Sequence, residues 1–341
     1  MLRLRKPEGG WLGVAVPAAV ILFLALLPFL PGLGSNRYLL ALLIGAFVFA
    51  VFAMSFDVLL GYTGIVSFGH ALFFGTGTYA AILLAKYMGA GFWTALAVAP
   101  VVAAVLALIV GSLSLRVKGV YFAMVSMAFA EFFRVVAEKA SSITGGSDGL
   151  AVQVAPDWAY GPRHRVELYF LTLALAVVTY LVLRRVLASP FGRTLVAIRE
   201  NEQRAAALGY NVFAFKLGSL VLAGMVASLA GVMYAATENF VVPSVVGVDT
   251  TIQVLLMSII GGVGTLGGPA LGAGIIRLAG TLLSSYTERW RLALGALYAL
   301  LVLFLPSGLA GLARAVGRRL EARRVRTGEG GVVAGGTARA G

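Results

Sequence analysis

The chain has 341 residues, of which 60% are hydrophobic and only 12% charged. That excludes an ordinary soluble domain, in which about a quarter of residues carry charge. With no cysteine and two histidines, His70 and His164, disulfides, thiolate sites and a histidine metal centre are excluded too, and the net charge of +13 does not signal nucleic acid because the basic residues gather at the ends of apolar runs.

The apolar runs are about 20 residues long, enough to cross a hydrocarbon core about 30 Å thick. Short alternating segments, the mark of a membrane β-barrel, are not seen. The expected fold is all-α, a polytopic transmembrane helix bundle. In chain order the expected spans are 12–30, 38–60, 65–86, 93–115, 120–136, 167–187, 216–237, 251–265, 268–285 and 290–306. The first resembles a signal peptide, but its apolar stretch is long and no A-x-A cleavage pattern follows, so it reads as a retained span. Ten spans put both termini on one side. With that side cytoplasmic, 18 of the 27 Lys and Arg residues fall inside, eight fall outside, and Arg277 lies within a span. Spans 120–136 and 251–265 are short, which leaves room for eight or nine crossings with re-entrant pieces.

Two glycine-broken stretches interrupt the apolar pattern, GYTGIVSFG from Gly61 and GGVGTLGGP from Gly261. Glycine at these positions serves close helix packing or a tight turn. Paired broken segments in the two halves of a transporter also mark a path through the bundle. On that second reading the path residues are Asp57, Gly61, Gly64, Ser67, Gly69, His70, Gly261 and Gly264. The expected topology gives both stretches the same orientation, which does not fit an inverted repeat. Asp57 is read as solvated or as a cap on a neighbouring helix, and His70 as bonded to a carbonyl freed by the glycines. Further on, Glu131 and Arg134 are three residues apart and form a local ion pair. TGGSDGL supplies an outer loop, with Gly146, Ser147, Asp148 and Gly149 as a loop anchor or an outer gate.

The Ser189–Lys216 segment is a charged island between two spans. Ser189 is the expected N-cap and Pro190 the first helical residue. Glu200 and Arg204 make a favourable i,i+4 pair, Leu195, Ile198, Ala205 and Leu208 a thin apolar stripe, and Gly209 a helix stop. Such a surface docks into a cleft of another protein, or is a solvated connector. Arg277, in LGAGIIRLAGTLL, needs an acidic partner, a carbonyl or a water cavity, unless the span boundaries are shifted. Residues 1–306 form the membrane domain. Residues 307–341 form a basic tail in which Leu309, Leu312, Val316 and Leu320 recur at helical spacing, suited to an anionic leaflet, with a disordered end from Thr327.

The stretches FDVLLGYTGIVSFGHALFFGTGTYAA, LRVKGVYFAMVSMAFAE, TGGSDGL, SPFGRTLVAIRENEQRAAALGYNVFAFKL, LLMSIIGGVGTLGGPALGA and LVLFLPSGLAGL occur in this order. In them the chain resembles the LivM-type permease subunits of branched-chain amino acid ABC importers, from about residue 38 to residue 312. The resemblance implies that 189–216 is the cytoplasmic segment that couples to an ATPase, through Arg199, Glu200, Glu202, Arg204, Ala205, Ala206 and Gly209. Glu202, Ala205, Ala206 and Gly209 are similar to the Glu-Ala-Ala…Gly core of importer coupling loops. They depart from it because two residues separate the glutamate from the alanines and no I-x-L-P ending follows. It further implies a second homologous permease, two ATPase subunits, an external solute-binding protein and a place in the cytoplasmic membrane. No G-x-x-x-x-G-K-[ST] occurs, so ATP and Mg are expected on the partner ATPases, with no cofactor and no metal on this chain. Permeases for urea and short amides share the pattern. Rivals of other classes are an ion-coupled transporter and a membrane enzyme with an Asp57–His70 pair.

Overall fold

The computed structural model describes residues 12–29, 36–161, 164–304, 308, 309 and 311. Arg3, Arg5, Lys6 and the tail pattern at Leu312, Val316 and Leu320 lie outside the described residues. Thirteen α-helices follow in order: α1 Leu12–Leu26, α2 Arg37–Asp57, α3 Ala71–Met88, α4 Phe92–Ser114, α5 Val120–Lys139, α6 Ser141–Thr144, α7 Arg165–Ala188, α8 Pro190–Glu200, α9 Glu202–Ala207, α10 Val212–Glu238, α11 Val248–Gly261, α12 Gly267–Tyr286 and α13 Trp290–Phe304. Two two-residue strands, β1 Leu150–Ala151 and β2 Phe240–Val241, pair antiparallel.

Among the described residues a helix lies over each of the ten expected spans, and six are long and apolar enough to cross a membrane: α2 with its extension to Thr63, α3, α4, α5, α7 and α10. The boundaries differ from the sequence reading in instructive ways. Helix α5 runs to Lys139 and is not short. Helix α2 continues as a wide turn through Val58–Thr63, and α3 starts only at Ala71, so 64–70 is irregular where a span was expected. Helix α11 has 14 residues and rises about 21 Å, less than a hydrocarbon core. The reason is that 239–247, just before it, folds into the bundle: Val241, Val245 and Val246 are buried, and Val246 packs on Gly75 in the first third of α3. Arg277 falls at the midpoint of α12, so no boundary shift explains it.

Helix α2 is apolar on all sides and is buried on all sides, as expected for a central helix. It packs on α7, α10, α11 and α12. Helix α10 meets α3 through small residues. A Cβ on Gly77 would strike Ser228 O, and one on Gly231 would strike Phe74 O. Lipid gives apolar helices no hydrophobic reason to associate, so close backbone contact of this kind carries the packing. Hydroxyls add to it, with Thr78 Oγ1 3.2 Å from Gly231 O.

The two ends of the bundle differ. At one end the α4–α5 turn meets the α7–α10 connection through a Lys118–Glu202 ion pair of 2.9 Å. At the other, Arg165 Nη1 donates to Arg37 O, the Tyr87 hydroxyl donates to Ser142 O, and β1 pairs with β2. The expected Glu131–Arg134 pair is present at 2.6 Å and is joined by Glu138 at 3.0 Å.

The α3–α10 contact leaves no space for a side chain. Gly231→Leu is expected to cost about 1–3 kcal/mol by overpacking. A thermal melt of the detergent-solubilised protein should fall by several degrees, whereas Gly274→Leu, at an open position, should leave it unchanged.

Candidate functional site

The two glycine-broken stretches, about 200 residues apart in sequence, meet in space. Asp57, at the end of α2, is fully buried. Its Oδ1 accepts from Gly264 N at 2.7 Å and its Oδ2 from Leu266 N at 3.0 Å. These are the amides released where α11 ends and α12 begins. Asp57 is therefore a cap on a neighbouring turn and is not solvated. Gly61 lies against Gly264 so closely that a Cβ there would meet Gly264 N at 2.5 Å. Ser258 Oγ lies 3.4 Å from Ala53 O. The contacts advance in the same direction on both helices, so α2 and α11 run parallel, and each turns back at its glycines. The shared orientation expected from the topology is what the fold contains.

The buried part of 64–70 needs partners for its backbone too, because a buried amide left unbonded is costly. Side chains supply them. Phe68 N donates to Ser126 Oγ at 3.1 Å and Ala71 N to Thr251 Oγ1 at 3.0 Å. Gly69 touches Ser126 O with no room for a Cβ. His70 sits in a cage of Phe52, Phe56 and Phe73 and stacks on Phe52. Its partner is Ser55 Oγ at 2.8 Å, not a freed carbonyl. Ser55 donates its one proton to Phe52 O, so it accepts from Nε2–H of His70, which sets the tautomer. Asp57 and His70 thus have separate partners, which removes the basis of the acid–base pair.

Of the path residues, Gly64 opens on a cleft of about 730 Å³ shared with Phe68, Lys118, Phe122, Phe213 and Lys216. Asp57, Gly61, Ser67, Gly69, His70 and Gly261 are packed between helices. In the 146–149 loop Gly146 is buried and Gly149 half-buried, both at positive φ, while Ser147 and Asp148 are exposed. The loop is held to the end of α10 by the β1–β2 pair and by Val154 N, which donates to the Asn239 side chain.

The charged island folds as α8 and α9, and Pro190 is the first residue of α8. The Ser189 hydroxyl does not cap; it donates back to Val186 O at 2.6 Å. Asn201 is extended and caps α9, so Glu200 and Arg204 lie on different helices and the i,i+4 pair does not apply. Leu195, Ile198 and Ala205 are buried, but Leu208 is 73% exposed. Gly209, at φ +88°, ends the α9 region as expected.

Two side chains tie this segment to the bundle. Arg199 lays its stem across Gly64 and donates from Nη1 to Gly61 O, with the same nitrogen beside Gly264. Glu202 pairs with Lys216 at 2.7 Å and with Lys118 at 2.9 Å. The hydrogen bond from Lys216, helped by Lys118, holds the Glu202 carboxyl below its ordinary 4.5. Both residues therefore face the protein. The free surface of the segment is Glu200, Arg204, Ala206 and Gly209 with Ala207, Leu208 and Tyr210. Sequence reasoning missed Tyr210, the Lys118 partner and the Asp57–Gly264 bond, because each depends on residues distant in the chain.

This arrangement defines a multi-pass helical membrane protein whose broken helices are linked to a charged helix pair at one end. The chain belongs to the family described as branched-chain amino acid transport system / permease component, whose model matches residues 38–305. It is therefore a transport permease component and not an enzyme. It is 29% identical over 291 residues to the high-affinity branched-chain amino acid transport system permease protein LivM of Escherichia coli, covering 78% of this chain and 68% of that one. A probable LivM of Methanocaldococcus jannaschii is 27% identical over 282 residues, 73% and 82% of the two chains. The LivH permease of Escherichia coli is 24% identical over 281 residues, 77% and 91%. No solved structure matches.

Removing the Asp57 acceptors strands two buried amides, at about 1–3 kcal/mol each. Asp57→Ala should lower the melting temperature sharply, and Asp57→Asn, which keeps one carbonyl acceptor, should fall between it and the native chain. The depressed Glu202 carboxyl contributes stability above pH 4.5, and that contribution is lost as pH falls through its lower folded value. Melting temperature followed from pH 7 to pH 3 should drop at the acid end, with a smaller drop in Glu202→Gln.

Proposed function

We propose that this chain is a transmembrane permease subunit of an ATP-binding cassette importer that moves branched-chain or other hydrophobic amino acids across the cytoplasmic membrane by alternating access. The observation that carries the mechanism is Arg199. It leaves the α8–α9 pair and bonds at the point where both glycine-broken hairpins meet. A push on the helix pair from outside the membrane is delivered there, to the backbone of both hairpins. Glycine turns at positive φ, Gly64 and Gly264, are where the chain changes angle at least cost.

The proposed assembly holds a second homologous permease, two cytoplasmic ATPases that bind ATP and Mg, and an external solute-binding protein. That relatives include both a LivM and a LivH permease supports a pair of related subunits. The α8–α9 end carries Arg116, Lys118, Arg184, Arg185, Arg193, Arg199, Arg204 and Lys216, which supports a cytoplasmic position for it, and with it cytoplasmic termini. The 307–341 tail is then a basic segment beside the anionic inner leaflet. Ser147 and Asp148, exposed at the far end, face the solute-binding protein. No cofactor is assigned to this chain. Urea or short amides are the second substrate reading. An ion-coupled mechanism is disfavoured because the Asp57 carboxylate is already committed to two amides.

The docking surface is the exposed one. The complex purified from native membranes should contain an ATPase, and Ala206→Trp with Leu208→Glu should lose it while the chain stays folded. Glu202→Gln should retain it, since Glu202 faces the bundle. Absence of any ATPase with the native chain under mild detergent would sink the importer reading.

A further inference from the structure

The end of the bundle opposite α8–α9 contains a cavity of about 270 Å³ that nothing above uses. Two unlike charges line it, Arg277 from the middle of α12 and Glu238 from the last residue of α10. Among the described residues neither belongs to an ion pair or a side-chain hydrogen bond. An arginine at mid-helix in a membrane bundle is costly unless something meets it. What meets Arg277 here is an aromatic face: its guanidinium lies 4.8 Å from the Phe49 ring centroid. That contact holds the group by one plane and leaves its edge donors free. Gly45, one helical turn before Phe49 on α2, makes the space, since a Cβ there would lie 2.7 Å from Arg277 Nη2. Glu238 borders a second cavity of about 270 Å³, also lined by Gly45, that reaches Tyr160 and Arg165 in the outer loop region. Glu238 is exposed and Arg277 half-buried, so the two charges lead from the surface of this end toward the bundle interior.

The rest of the lining fits the same picture. Phe74 and Val245 give it an apolar wall, and Ser244, Thr250 and Gln253 add polar groups. The 239–247 segment, which brings Ser244 and Val245 to the cavity, is largely non-helical backbone folded into a membrane bundle. Such backbone is tolerated where it is buried in protein or borders a water-filled space. Opposite charges that share a cavity without neutralising each other are complementary to a ligand carrying both.

We propose that this cavity binds the zwitterionic head of an amino acid, with Arg277 taking the α-carboxylate, Glu238 the α-ammonium, and Phe49, Phe74 and Val245 the apolar side chain. A guanidinium with a free edge suits a planar carboxylate. The inference rests on the amino acid importer reading and adds to it a site on the permease itself.

The test uses the full chain, purified with the subunits it holds and placed in nanodiscs, with tritiated leucine as probe. Leucinol lacks the carboxylate and 4-methylpentanoate lacks the amine. Leucine should bind saturably and both analogues should compete about 10- to 100-fold less well, the worth of one charge-assisted hydrogen bond. Arg277→Met should lose leucine binding by a similar factor and stop distinguishing leucine from leucinol. Glu238→Gln should stop distinguishing leucine from 4-methylpentanoate. Arg277→Lys keeps the cation and should retain part of the affinity, which separates loss of charge from misfolding. Native discrimination in both neutral variants overturns the site. So does loss of a partner subunit in both, since the charges would then be interface groups. Leucine uptake by intact cells distinguishes the two levels. Chain-dependent uptake unchanged in both variants overturns the site and leaves the importer reading, whereas no chain-dependent uptake of any branched-chain amino acid overturns the reading beneath it.

Discussion

Wherever a helix stops inside a bilayer, its freed amides and carbonyls must be bonded by the protein, because no solvent is there to take them. This chain stops two helices at nearly the same point, and the Asp57 carboxylate resolves one of the two breaks by taking Gly264 N and Leu266 N. Much follows from that one side chain. It sets α2 and α11 parallel, it brings Gly61 onto Gly264, and it places both turns within reach of Arg199. The same constraint, met by Ser126 and Thr251, holds the 64–70 segment. A buried carboxylate is ordinarily a cost, and here two backbone donors meet it.

The α8–α9 helix pair is consequently part of the bundle on one face and free on the other. Leu195, Ile198 and Ala205 are packed inward, Phe191 stacks on Phe215, and Glu202 is clasped by lysines from two separate elements. The outward face keeps small and apolar residues around Leu208. Such a division suits a lever: rigid attachment on one side, a partner's surface on the other, and a single long side chain leading to the turns.

The far end solves a different problem. There the chain brings irregular backbone into the bundle between α10 and α11, which shortens α11 and opens space between α2, α3 and α12. The molecule is thus cross-tied at the glycine junction, where a cleft of about 730 Å³ opens beside Gly64, and is hollowed toward the opposite face by cavities of about 270 Å³.

Much of this was legible in the residues. Long apolar runs dictate helices, since a bilayer accepts no open backbone, and the chain's spans, its charged island and its two glycine interruptions are all visible as local composition. Pro190 and Gly209 mark their helix ends because backbone dihedrals are a local property. Partners are not local. Nothing near Asp57 in sequence points to Gly264, and nothing near Glu202 points to Lys118. Arg277 could be recognised as anomalous from its apolar neighbours, but only the packing of α2 against α12 set it on Phe49 and across a cavity from Glu238. The sequence by itself determined which segments are helical, where they break and which family they belong to, because these depend on short-range sterics and on hydrophobicity. Which broken ends meet, which face of the charged island is free, and which charges are left without a partner were decided by the tertiary structure alone, because these depend on contacts between residues up to about 200 positions apart.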